Sequence, residues 1–184
     1  MAISTKTNLD NRSKRRMGTG IHTNCSFAGG EIKTTANGNK FLELWFANPL
    51  GENQKKTIFF PSDSPKLKDG ESSQDAKDRE MNAFTGACFD ILISFYSPDE
   101  SVVSGDTLEN FAKKVLDKLR AAQTRCNVLV HYTMDYKYTE FPRYDWIEKY
   151  QEGNPSNLRV SDVHRMTKKG ESKQQEEPKR GPFF

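Results

Sequence analysis

At 184 residues the chain has the size of one domain. Only 34% of its residues are hydrophobic and the mean hydropathy is −0.82, so a single core cannot take in the whole length, and no apolar run approaches a membrane span. The net charge of +3 is mild, but residues 1–20 set Lys6, Arg12, Lys14, Arg15 and Arg16 against Asp10 alone, a placement that suits a polyanionic partner. Cys25, Cys88 and Cys126 are far apart and odd in number, and His22, His131 and His164 stand alone, which argues against a disulfide framework and a zinc site. With no signal-peptide stretch at the polar start, the expected setting is a reducing cytoplasm.

In chain order, residues 1–17 read as a disordered basic arm, because a segment with little to bury cannot offset its ordering entropy. Gly20–Phe27 alternates as a strand, and Ala28-Gly29-Gly30 interrupts it where glycine marks a bulge or bend. Glu31–Thr35 resumes the strand, and Asn37-Gly38-Asn39 is a hairpin turn. Phe41–Phe46 follows as a strand with Leu42, Leu44 and Phe46 on one side and Phe41, Glu43 and Trp45 on the other. After the turn at 48–53 comes a third strand, Lys56–Phe60. Met81, Phe84, Cys88, Ile91, Leu92 and Phe95 recur at helical spacing, predicting a helix over Arg79–Tyr96. A second helix opens at Asp106, where Asp106 and Glu109 have capping-box spacing. Arg125–Thr133 and Tyr138–Tyr144 return to strand, with Tyr132 expected in the core beside Val128 and Val130. The polar stretch 151–184 is expected to be a flexible tail ending in Pro182-Phe183-Phe184.

Three meandering strands, a helical segment and two more strands is the order of a five-stranded Greek-key OB-fold barrel with a helical insertion between strands 3 and 4. The expected fold is therefore mainly β with helices, the OB domain covering residues 18–150. An α+β sheet with both helices on one face uses the same order. The glycine bend favours the barrel, whose first strand must curve.

The stretch GIHTNCSFAGGEIKTTANGNKFLELWFANP resembles the start of bacteriophage single-stranded-DNA-binding proteins of the OB-fold type. CNVLVHYTMDYKYTEFPRYDWIEKY is similar to their closing strands, where a hairpin runs into an aromatic F-P-x-Y turn. The likeness covers about Gly20–Tyr150 and is weakest over 62–106. It implies binding and protection of single-stranded DNA in replication, recombination or repair. Many proteins of this class end in a flexible acidic tail with a terminal Phe that docks partners. The resemblance thus implies replication or recombination proteins as partners for Phe183 and Phe184. Here the tail departs from the pattern, because 161–184 carry six Lys/Arg against four Asp/Glu.

A single strand is held by cations that follow phosphates and by aromatic faces on which bases stack. Glu43 marks the wetter face of its strand, so Phe41 and Trp45 are candidates for stacking, and Phe59 shares that face by alternation. Lys33, Lys40, Lys55 and Lys56 lie in or beside the first three strands. The densest aromatic zone is 132–150, with Lys137, Arg143 and Lys149 interleaved. Tyr136 and Tyr138, in the last hairpin, are placed to meet a base, with Lys137 and Arg143 beside them. Arg12, Lys14, Arg15 and Arg16 of the arm complete the set. No phosphate loop, metalloprotease or nucleophile-elbow motif is present, so neither an enzyme nor a cofactor is expected. An RNA-binding OB protein and a protein-interaction module, such as a phage-encoded inhibitor or accessory factor, are the competing functions. A homo-oligomer stays open.

Overall fold

A computed structural model describes residues 15–168. The first strand, β1 (Gly20–Thr34), is long enough to serve two neighbours. Its first half pairs antiparallel with β4 (Cys126–Tyr132), from Gly20↔Val130 to Cys25↔Cys126. Its second half pairs with β2 (Lys40–Ala47), from Ser26↔Ala47 to Thr34↔Lys40. The register slips between Phe27 and Gly29, where Gly29 has φ 137°, so the glycine bend stands where the sequence places it. Gly30 is needed for a different reason: a Cβ there would lie 2.8 Å from Leu116 Cδ2 and 2.9 Å from both Leu44 Cδ2 and the Glu43 carbonyl oxygen. The β1–β2 turn closes with Gly38 at φ 82° and Thr35 N donating to Asn39 O.

β2 pairs in turn with β3 (Asn53–Phe59), and the strand order is β3-β2-β1-β4-β5, with β5 (Thr139–Glu140) and β6 (Ile147–Lys149) both on β4. The antiparallel sheet curls, bringing β3 and β5 from opposite ends of that order into contact. Gln54 Nε2 donates to Thr139 O at 2.7 Å and Lys56 Nζ to Pro142 O at 2.7 Å.

Two helices connect β3 to β4: α1 (Ser73–Leu92) and α2 (Leu108–Ala121). α1 starts six residues before the expected Arg79, at a capping box in which Ser72 Oγ accepts from Asp75 N and the Asp75 carboxylate accepts from Ser72 N. Its stripe of Phe84, Cys88, Ile91 and Leu92 is buried as expected, whereas Met81 is exposed. α2 is capped by Thr107, whose hydroxyl accepts from Asn110 N, in place of the expected Asp106–Glu109 pair.

Leu42, Leu44 and Phe46 of β2 meet Val115, Leu116 and Leu119 of α2 and the α1 stripe in one core. Each such side chain contributes about 1.5–3 kcal/mol by leaving water. Phe27, Phe141 and Trp146 pack edge-on around Phe46, at 5.4 to 5.9 Å between ring centres. β4 is buried on both sides from Cys126 to His131, and Tyr132 is only half-buried. The final strand is shorter than the expected Tyr138–Tyr144, because Phe141 and Trp146 turn into the core from irregular backbone that includes Asp145 at φ 50°. The core also takes in Met17 and Leu158, from segments the sequence reading assigns to the arm and the tail.

Candidate nucleic-acid interface

Alternation along β2 sends Phe41, Glu43 and Trp45 to the sheet side opposite the core. The ladder sets Phe41 across from Phe59, Glu43 across from Thr57 and Trp45 across from Lys55, with Lys33 of β1 beside Phe41. Phe41 and Phe59 lie 5.5 Å apart, and Phe59 is 58% exposed. Lys55 Nζ stands 5.6 Å from the centre of the half-buried Trp45 ring. Three aromatic rings thus share the outer face of one antiparallel sheet.

Glu43 behaves differently from the expectation that it marks a wet face. It is only 4% exposed. Its carboxylate accepts from Lys33 Nζ at 2.6 Å, Lys55 Nζ at 2.8 Å and Trp45 Nε1 at 3.2 Å. Burial pushes the carboxyl pKa up, but the bonds from Lys33 and Lys55, the Lys55 charge and the Trp45 bond outweigh it and hold the group down at about 2. Lys33 also pairs with Glu31 at 2.9 Å. The two lysines of this face are therefore matched by two carboxylates, so the face offers rings more than free positive charge.

A second cluster borders the Trp45–Lys55 end. Asn53, two residues before Lys55 and on the same side of β3, bridges to the chain at Arg16: Asn53 N donates to Arg15 O at 2.7 Å and Met17 N to Asn53 O at 3.1 Å. The Arg16 guanidinium lies 5.0 Å from the centre of the Tyr138 ring, which is 57% exposed. The β4–β5 hairpin that carries Tyr138 is tightly turned. Thr133 N donates to Tyr138 O, and Asp135 Oδ1 accepts from Thr133 Oγ1 and Lys137 N. Tyr136 sits at its tip with φ 57°, half-buried against Tyr132, and Lys137 is exposed.

Other candidates fall elsewhere. Lys40 pairs with Glu109 at the start of α2. Arg143 stacks over the exposed Tyr144 at 5.1 Å, a ring the sequence reading leaves out of the site. Lys56 faces inward, its Nζ bonded to Pro142 O and 5.0 Å from the centre of the Trp146 ring. Burial brings its pKa down to about 8. The pair Lys55-Lys56 carried the signal, because two adjacent strand residues point to opposite sides. Arg12, Lys14, Phe183 and Phe184 lie outside the described residues. A buried polar group was also missed: His131, whose Nε2 is 3.7 Å from Glu140 and whose Nδ1 has no hydrogen-bond partner. Among the described residues, no group of three or more His, Cys, Asp or Glu could hold a metal ion, and no helix is long and apolar enough to cross a membrane. Compared with known proteins, the chain matches no family model and no curated protein.

Proposed function

We propose that the chain binds single-stranded DNA without sequence preference, using the outer face of β1–β3 and the β4–β5 hairpin. Its role would be to protect the strand in phage replication, recombination or repair. The observation that carries this reading is the presence of Phe41, Phe59 and Trp45 on one outer sheet face, with Phe59 packed beside Phe41 and more than half exposed. Bases of any sequence can stack on such rings, each contributing about 1–3 kcal/mol. We read the body as an OB-type barrel with α1 and α2 inserted between its third and fourth strands. Support comes from β1 shared between β2 and β4 and from the approach of β5 to β3.

One feature of the face favours a second reading. The matched charges of Lys33, Lys55, Glu31 and Glu43 around aromatic rings also suit a protein partner, since Tyr, Trp and Phe anchor protein interfaces. Fluorescence anisotropy with oligo-dT, duplex DNA and matched RNA at graded salt separates these functions. Single-strand binding requires oligo-dT to bind far more tightly than duplex, with affinity falling as salt rises. Equal affinity for both DNAs, or none for either, would overturn it.

A further inference from the structure

β3 is laddered to β2 along one side, and the direction of its backbone groups follows from the bonds at either end of that ladder. Phe60 N donates to Lys40 O at 2.9 Å and Asn48 N to Glu52 O at 3.0 Å, so the even-numbered residues between them turn their backbone groups towards β2. The odd-numbered residues turn theirs outwards. Asn53 shows this directly, since its N–H and C=O are taken up at Arg15 and Met17. Beyond it, the backbone groups of Lys55, Thr57 and Phe59 have no hydrogen-bond partner among the described residues. β5 approaches from the core side, through the side chains of Gln54 and Lys56, and takes none of these groups.

An open edge of this kind is commonly blunted by a bulge, a proline or an outward lysine. Here the β2–β3 register runs from Phe41↔Phe59 to Ala47↔Asn53 without a shift, and Pro61 lies past the end of the strand. Lys55 is folded back over the sheet, its Nζ held by Glu43 at 2.8 Å beside the Trp45 ring. Phe59, at the other end, is 58% exposed. The edge is also its own complement. An antiparallel copy centred on Thr57 sets Thr57 against Thr57 and Lys55 against Phe59. No two like charges then stand opposite each other, and each exposed ring gains a cation beside it. The same residues serve both sides, as a two-fold contact requires.

We propose that the chain forms a two-fold dimer by antiparallel pairing of its β3 edges, centred on Thr57. Lys55, Thr57 and Phe59 of each copy exchange backbone bonds with Phe59, Thr57 and Lys55 of the other. Two three-stranded faces then join into one six-stranded sheet, with Phe41, Trp45 and Phe59 of both copies on the same side. What that longer aromatic face would hold rests on the single-strand reading above; the dimer itself does not. The interface is small, so the dimer comes apart on dilution.

The test uses the full chain without DNA. Sedimentation equilibrium should move from 21.0 kDa towards twice that mass as concentration rises. Thr57→Pro removes the central outward N–H and leaves the bonds to β2 in place. Phe59→Lys brings two ammonium groups together in each outer pair. Both variants should keep the mass of one chain at concentrations where the parent is dimeric. In a hydrogen-bonded antiparallel pair the Cα atoms stand about 5.5 Å apart, within the span of a disulfide. Thr57→Cys should therefore give a disulfide-linked dimer under mild oxidation, while Asn82→Cys, exposed on α1, should not. Cys25, Cys88 and Cys126 are buried, and burial pushes the Cys25 and Cys88 thiols up to about 12, so they stay out of the reaction. A one-chain mass at every concentration up to the solubility limit would overturn the β3 dimer. So would equal linkage in the two cysteine variants, or undiminished dimers of a folded Phe59→Lys. None of these results touches the single-strand reading, which oligo-dT binding decides separately.

Discussion

Glu43 and His131 show how two buried ionisable side chains set opposite demands on pH. The Glu43 carboxyl is held at about 2, below its ordinary 4.5, because Lys33, Lys55 and Trp45 bond its ionised form. Its contribution is therefore present above pH 4.5 and lost as pH falls towards 2. The partner lysines keep 40% and 45% of their side-chain exposure, which screens the pairs, so roughly 1–2 kcal/mol is at stake. Glu43→Gln should lose that amount at neutral pH, read by urea unfolding. It should also free Lys55, whose carboxylate partner is Glu43, steepening the salt dependence of oligo-dT binding, while Lys33 keeps its pair with Glu31. His131 works the other way. Burial, then the charges of Arg165, His164 and Lys56, bring its pKa down to about 4, so the fold holds the neutral ring, with Glu140 3.7 Å from its Nε2. Stability from this group is complete above pH 6.5 and is lost as pH falls from 6.5 to 4, by roughly 2–3 kcal/mol in all. His131→Phe keeps a ring and removes the unpartnered Nδ1, so it should flatten unfolding free energy across that window while changing it little at pH 7. A variant that keeps the wild-type slope there would place the acid sensitivity elsewhere.

Among the elements, the bend in β1 is the most exacting. Gly30→Ala sets a methyl against Leu116, Leu44 and a β2 carbonyl, and should cost roughly 1–3 kcal/mol, seen as a lower melting temperature. An unchanged melting temperature would show that β1 can move away from α2. This bend was legible in the sequence because glycine interrupts an alternating run, and β2 and its turns were legible for the same reason: their signals are local. The start of α1 was not, since Gln74-Asp75-Ala76-Lys77-Asp78-Arg79-Glu80 has no apolar stripe, and only the Ser72–Asp75 cap marks it. The aromatic face was read correctly at Phe41, Trp45 and Phe59 but for an incomplete reason. Glu43 looked like a sign of water, whereas two lysines from neighbouring strands keep a carboxylate in a nearly closed site. Such cross-strand pairs depend on register, and one strand read alone does not contain them. The short β5 escaped for a related reason, because Phe141 and Trp146 are held by contacts with Phe46, which lies far back in the chain.

On the scale of the whole molecule, aromatic rings and free charge occupy different places. The rings lie on the outer face of β1–β3, the acids gather along the β3–β4 connection, and among the described residues Arg15, Arg16 and Lys168 are exposed away from that face. Stacking and phosphate binding can thus be measured apart. The chain has two tryptophans: Trp45, half-buried on the sheet face, and Trp146, packed at 4.2 Å against Phe141 in the core. Both rings emit, but a bound base can reach only Trp45, so a change of intrinsic fluorescence on binding reports on the face. Titration with oligo-dT should quench the emission, and Trp45→Phe should abolish the quenching while anisotropy still registers binding, because a phenyl ring still stacks. Quenching that survives in Trp45→Phe, or binding of oligo-dT that leaves Trp45 emission untouched, would contradict base stacking on the β1–β3 face.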